Sequence, residues 1–300
     1  MVEILGYAFM QRAVLASVLV GTATAVIGVY VVLRGLAFIG AGIAHASFGG
    51  VALGFLLGIN PLVSAIVFCL GTAWGIAWTS RRTEVREDTA IGIFFAATMS
   101  LGILFIGLMG EYNVDLFGYL FGSVLSVTPA DLWLASVLAV GVLAIVGLLF
   151  KEFLFITFDP EMAQVSGLPA GRLYILLLSI MALTVVLSIK VVGIILASAM
   201  IVIPAAAAYQ LTQDFRAMMG VAVLIGNVSA VAGLLLSYAL DTASGATMVL
   251  TATLIFFVSA LLARHRRRGR VRAAAGMRAA PHGWEGPGPG GRLRRAGEDP

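Results

Sequence analysis

The sequence predicts an all-α fold, a polytopic transmembrane helical bundle of about nine helices with eight as the alternative count. Three observations predict it. Of the 300 residues 60% are hydrophobic and 11% charged, and a mean hydropathy of +1.03 leaves more apolar surface than a soluble core of this size can hide. The apolar residues gather in runs close to the ~20 residues that one crossing of a hydrocarbon core takes. Stretches such as 132–150 are apolar at nearly every position, where a transmembrane β-strand would alternate apolar and polar side chains.

The runs fall at 12–33, 38–58, 61–79, 89–110, 131–150, 172–190, 193–212, 216–240 and 246–264. Residues 1–12 lack the basic start, apolar run and small-residue cleavage site of a signal peptide, so they are read as mature protein and insertion is expected to rely on the spans. The second and third runs are parted only by Gly58-Ile59-Asn60-Pro61, the place where nine spans would become eight. After the fourth run, Leu116-Phe117-Gly118-Tyr119-Leu120-Phe121-Gly122 is apolar but too short to span, and reads as a re-entrant or interfacial helix. The longest internal break, 151–172, has at its core Asp159, Pro160, Glu161, Met162, Ala163, Gln164, Val165, Ser166 and Gly167. That core reads as a short capped helix, with Asp159 as N-cap, Pro160 in the first position and Gly167 as its stop. Lying across one membrane face, it is either a docking element for a soluble partner or an ordinary interfacial turn. In the seventh run, Pro204 removes a helix hydrogen bond and is expected to bend the helix, which suits a moving transporter helix and is also common in static bundles. The domain division expected is a membrane domain over 1–265 and a basic Gly, Pro and Arg-rich tail over 266–300, too poor in aliphatic residues to fold.

Charge gives the bundle a direction. Ten of the nineteen Lys and Arg residues lie from Arg264 onward; before it, nine basic residues face twelve acidic ones, a balance of −3. Lys and Arg near span ends stay on the cytoplasmic side. With the basic tail inside, the breaks that hold Arg216, Lys151 with Arg172, Arg81 with Arg82 and Arg86, and Arg34 all fall inside. Asp241 and the pair Glu111 and Asp115 then fall outside, with the N-terminus. Lys190 and Arg12 are the exceptions, and a long basic side chain can snorkel to either interface. A basic tail after a span is an orientation or lipid signal before it is a nucleic-acid site, so no nucleic acid is expected as a partner. The lone Cys69 can form no internal disulfide.

No phosphate-binding loop, paired-cysteine metal knuckle, HExxH helix or nucleophile elbow occurs in the sequence, so no covalent chemistry is expected and ATP, if used, is hydrolysed elsewhere. His45 is the one histidine of three inside a span. An ionisable group there is costly enough to suggest a function, and neutral imidazole is a common ligand for zinc and similar metals. The other reading is a histidine hydrogen-bonded to a neighbouring helix. Gly40, Ala41, Gly42, Ala44, Ala46, Gly49 and Gly50 around it allow tight packing or a pore wall. Glu111, Asp115 and Asp241 are candidates to draw a cation to the outer mouth, or are solvated loop acids. Glu87 and Asp88 at a span start are read as structural, favoured by the helix dipole.

Several segments together resemble the permease subunits of the ATP-binding-cassette (ABC) importers for zinc, manganese and iron. They are 36–54 around Gly40-Ala41-Gly42-Ile43-Ala44-His45, then Glu87-Asp88-Thr89-Ala90-Ile91-Gly92, Tyr119-Leu120-Phe121-Gly122-Ser123, Phe158-Asp159-Pro160-Glu161-Met162-Ala163 with Gly167-Leu168-Pro169, the stretch 193–207, and Asp241 with Ser244-Gly245. The resemblance covers the chain to about residue 263. It implies a homodimeric pore in the cell membrane, joined by cytoplasmic ATPase subunits that bind the ATP and served by an external metal-binding protein. It also implies that 159–167 is the helix that receives the ATPase stroke. No resident cofactor is implied; the divalent metal is cargo. The family often carries an acid four residues before the histidine; here that position is Ala41, leaving His45 a single candidate, doubled by the second copy of the chain. The rival readings are a permease for a metal chelate such as a siderophore or vitamin B12, and a secondary transporter driven by an ion gradient.

Overall fold

A computed structural model describes residues 7–109, 115–124 and 127–279. Contacts divide the chain into two compact units, 1–260 and 261–300. Among the described residues, twelve helices run in order: α1 (Ala8–Leu33), α2 (Ala37–Leu57), α3 (Pro61–Arg82), α4 (Glu87–Met109), α5 (Asp115–Phe121), α6 (Pro129–Leu148), α7 (Phe150–Phe158), α8 (Pro160–Val165), α9 (Ala170–Val192), α10 (Ile194–Leu211), α11 (Phe215–Leu240) and α12 (Ser244–Ala279). Among the described residues, nine of these are long and apolar enough to cross a membrane.

The point at which nine could have been eight is settled by local chemistry. Gly58 takes a left-handed conformation at φ +65° and ends α2. The side chain of Asn60 then accepts a hydrogen bond from the Leu62 N–H at 2.9 Å, with Pro61 opening α3. A left-handed stop, a cap and a helix-starting proline within four residues make two helices of one apolar stretch. Elsewhere Thr128 and Asp131 form a reciprocal capping box at α6, and Asp214 caps α11 by accepting from the Ala217 N–H at 2.8 Å.

Two features depart from the sequence reading. The break expected over 151–172 is largely helical, because α7 follows α6 with only Leu149 between them. The Phe153 N–H still donates to the Leu149 carbonyl at 2.9 Å, and Phe153 and Ile156 are buried, so this amphipathic turn is held by packing although Lys151 and Glu152 make it look like a loop. In the second unit, 261–279 is helical where a disordered tail was expected from 266. Ala and Arg, both strong helix formers, supply most of 263–275. Residues 280–300 lie outside the described residues.

Within the first unit, burial separates centre from periphery. The spans of α1, α2 and α9 are 72% buried, those of α4 and α6 only 17%. Tyr30, Ile39, Ile43, Leu177 and Met181 form the middle of the largest apolar cluster, while Leu104, Val140 and Leu148 face outward, as apolar residues facing lipid or a partner do. The small residues of α2 are spent on packing. A Cβ at Gly42 would lie 2.8 Å from Ile91 and one at Gly49 2.8 Å from the Thr98 carbonyl, both on α4; one at Gly50 would lie 2.7 Å from Ala65 Cα on α3. The Gly42–Ile91 and Gly49–Thr98 pairs run in the same order along both helices, so α2 and α4 lie parallel, as two spans separated by one crossing must.

Candidate functional site

His45 projects from α2 and is half-buried. Its Nδ1 lies 2.9 Å from the carbonyl oxygen of Ala41, one turn earlier, and its ring packs 4.7 Å from that of Phe95 on α4. A carbonyl can only accept, so Nδ1 carries a proton, which in the neutral ring leaves the lone pair on Nε2. The partner expected on a neighbouring helix is therefore on its own helix. The backbone of Ala41 thus fixes the orientation of the ring.

Among the described residues, no acids gather with it into a metal cage. Glu111 lies outside the described residues, and Asp115 opens α5. Asp241 is exposed and is the one non-glycine among the described residues with positive φ, at 52°, where it ends α11. Among the described residues, no three His, Cys, Asp or Glu come together as a metal cage. Pro204 is buried inside α10, which continues through it to Leu211.

The end of the bundle next to α5 is tied by contacts the sequence reading did not foresee. Lys190, the exception to the charge rule, lies 3.7 Å from the Asp131 carboxylate and 4.6 Å from the centre of the Tyr119 ring. An ion pair and a cation–π contact account for a lysine at that end. Nearby, Gly122 and Gly193 both have positive φ, +71° and +93°; a Cβ on Gly193 would lie 2.5 Å from Gly122 N, and one on Gly122 2.6 Å from Gly193 N. Gly245 presses on the Val192 carbonyl in the same knot, and the Ser244 hydroxyl accepts from the Val124 N–H at 3.3 Å. Three of the sequence segments that carried the resemblance thus meet at one point.

The opposite end holds α8. Asp159 accepts from the Met162 N–H at 2.8 Å, Pro160 is in the first turn, and Gly167, at φ +87°, stops it. Met162 and Val165 are exposed, Val165 to 83%, an apolar face on a six-residue helix that the described residues do not cover. Beside α8, Tyr174 at the start of α9 donates from its hydroxyl to Glu87 at 2.9 Å. The guanidinium carbons of Arg34 and Arg81 lie 5.0 and 5.1 Å from the centre of the Tyr174 ring. Sequence reading gave Arg34 and Arg81 only a topological role and took Glu87 for a dipole partner; aromatic spacing alone could not join residues this far apart.

Residues 6–263 match the ABC 3 transport family. The chain belongs to that family. Among its ABC 3 relatives, the manganese transport system membrane protein MntC of Listeria monocytogenes is 42% identical over 86% of this chain and 91% of its own. The high-affinity zinc uptake system membrane protein ZnuB of Haemophilus influenzae is 34% identical over 82% of this chain and 95% of its own. Among solved structures, PsaBC from Streptococcus pneumoniae in complex with Fab matches with a TM-score of 0.78 and 33% identity, covering 86% of this chain and 93% of that one. Membership in ABC 3, together with nine apolar helices, makes the chain a multi-pass membrane protein, as the sequence resemblance implied.

Proposed function

We propose that this chain is the permease subunit of an ATP-driven importer of a divalent metal ion, manganese, zinc or iron, in the cell membrane with its C-terminal tail in the cytoplasm. The observation that carries the reading is the family match over 6–263, which spans every membrane helix, combined with relatives named for manganese and zinc transport. The chain works as a homodimer, receives metal from an external binding protein, and is driven by cytoplasmic ATPase subunits that bind ATP and dock on 159–167. It catalyses no covalent step itself.

In this reading His45 offers Nε2 to the passing ion from a half-buried position, and a second copy supplies a second imidazole. Few ligands are an advantage, because an ion must leave as well as enter: a full four-ligand cage would hold it too long, while one or two ligands replace part of its lost water. Asp241, Glu111 and Asp115 raise the local cation concentration at the outer mouth. Movement starts at α8 and passes to α7 and α9, which flank it in sequence, and Pro204 gives α10 a point at which to bend. The test is manganese and zinc uptake into metal-starved cells that lack their own importers, with this chain expressed beside its ATPase and binding protein. Restored uptake supports the reading; assembled complex without uptake of any of the three metals overturns it.

A further inference from the structure

A cleft of about 340 Å³ lies between α8 and the start of α9, lined by Arg34, Arg81, Glu87, Tyr174, Glu161 and Gln164 among others. Its floor is built with care. Glu87 accepts from the Tyr174 hydroxyl, which holds the ring where both guanidiniums lie against it. Gly171 leaves the room that Arg81 fills, since a Cβ there would collide with Arg81 Nη1. Among the described residues, Nη1 of Arg34 is buried without a hydrogen-bond partner, and neither guanidinium lies within ion-pair distance of a described carboxylate. Burial pulls the Arg34 guanidinium below its ordinary pKa, while the charges of Tyr174 and Glu87 oppose that shift.

A buried donor left unpaired is costly, and a guanidinium fork matches a carboxylate in two parallel hydrogen bonds. We infer that this cleft receives an acidic side chain of the ATPase partner, held between Arg34 and Arg81 while α8 lies against the same subunit. The inference rests on the reading of α8 as the docking helix. The position of the cleft points to the occupant: its other wall is Pro160, Glu161 and Gln164 of α8, so a subunit docked on the exposed Met162 and Val165 of this six-residue helix lies next to the cleft. The contact would join the ATPase to the ends of α1 and α3 and the starts of α4 and α9, so that the stroke reaches four spans at once and not only through α8.

The experiment measures binding of the ATPase subunit to the full-length permease in nanodiscs, comparing wild type with Arg34→Gln, Arg81→Gln and Val165→Asp. Arg81 is exposed, so its substitution leaves the fold intact even where Arg34→Gln does not. The expected result is that each arginine variant binds about tenfold more weakly, and that the salt dependence seen for wild type between about 50 and about 500 mM flattens. If both arginine variants bind as wild type does while Val165→Asp does not, the docking helix stands and the cleft inference is overturned. If Val165→Asp also binds as wild type, the docking reading fails and this inference with it. Saturable binding of inorganic phosphate to the permease alone, lost in Arg34→Gln with ATPase affinity unchanged, would overturn it in favour of a free anion.

Discussion

His45 and Lys190 are the two ionisable side chains whose place in an apolar bundle needs a reason, and the reasons differ. Lys190 is neutralised by Asp131 and stacked on Tyr119, so its role is to hold the start of α6 against the end of α9. Asp131 serves twice, as ion-pair partner and as half of a capping box. Asp131→Ala should therefore cost about 1–2 kcal/mol, read as a lower melting temperature in detergent with uptake per folded molecule unchanged. Among the described residues His45 is hydrogen-bonded to its own helix and packs on Phe95, so His45→Ala should lower the melting temperature only modestly and reduce metal uptake at least about tenfold. A fall in stability with normal uptake per molecule would make His45 a packing residue. The exceptional status of both residues was legible in the sequence from charge inside apolar runs. Their partners were not, because Asp131 reads as an ordinary helix start and the Ala41 carbonyl belongs to the backbone of every sequence.

At the scale of elements, caps and breaks decided what apolar length alone left open. The boundary between α2 and α3, which the sequence reading left open, follows from the stop, cap and helix start at Gly58, Asn60 and Pro61; the limits of α8 follow from Asp159, Pro160 and Gly167 and were read in advance. The helix α7 was not, because its helicity comes from burying Phe153 and Ile156 and its charged start resembles a loop. The knot of Gly122, Gly193 and Gly245 was equally hidden, since closeness between segments distant in sequence has no local signature. Gly193→Ala places a Cβ at φ +93° against the Gly122 backbone, and should cost well over about 1 kcal/mol, seen as loss of monodisperse protein on gel filtration. Asp159→Ala removes the α8 cap, at about 1 kcal/mol for the local helix. It should leave the bundle folded and reduce the metal moved per ATP hydrolysed; unchanged coupling would mean that α8 needs no preformed helix to transmit force.

For the whole molecule, topology comes before mechanism. Nine spans with α8 inside require that a cysteine at Ser166 be labelled only from the cytoplasm and one at Thr242 only from outside; native Cys69 is buried with its thiol donating to the Ile43 carbonyl at 3.6 Å, so it gives no background. Labelling of both from one side would contradict the orientation. His45 sits half-buried on the central α2, against Phe95 of the outward α4. The central claim, a metal permease driven by a separate ATPase, is tested most directly in proteoliposomes that hold this chain with its ATPase and binding protein, by following radioactive manganese uptake with ATP in the compartment facing α8. The account predicts uptake that stops without ATP, without the binding protein, or with His45→Ala; ATP hydrolysis with no manganese, zinc or iron movement in the intact complex would contradict it.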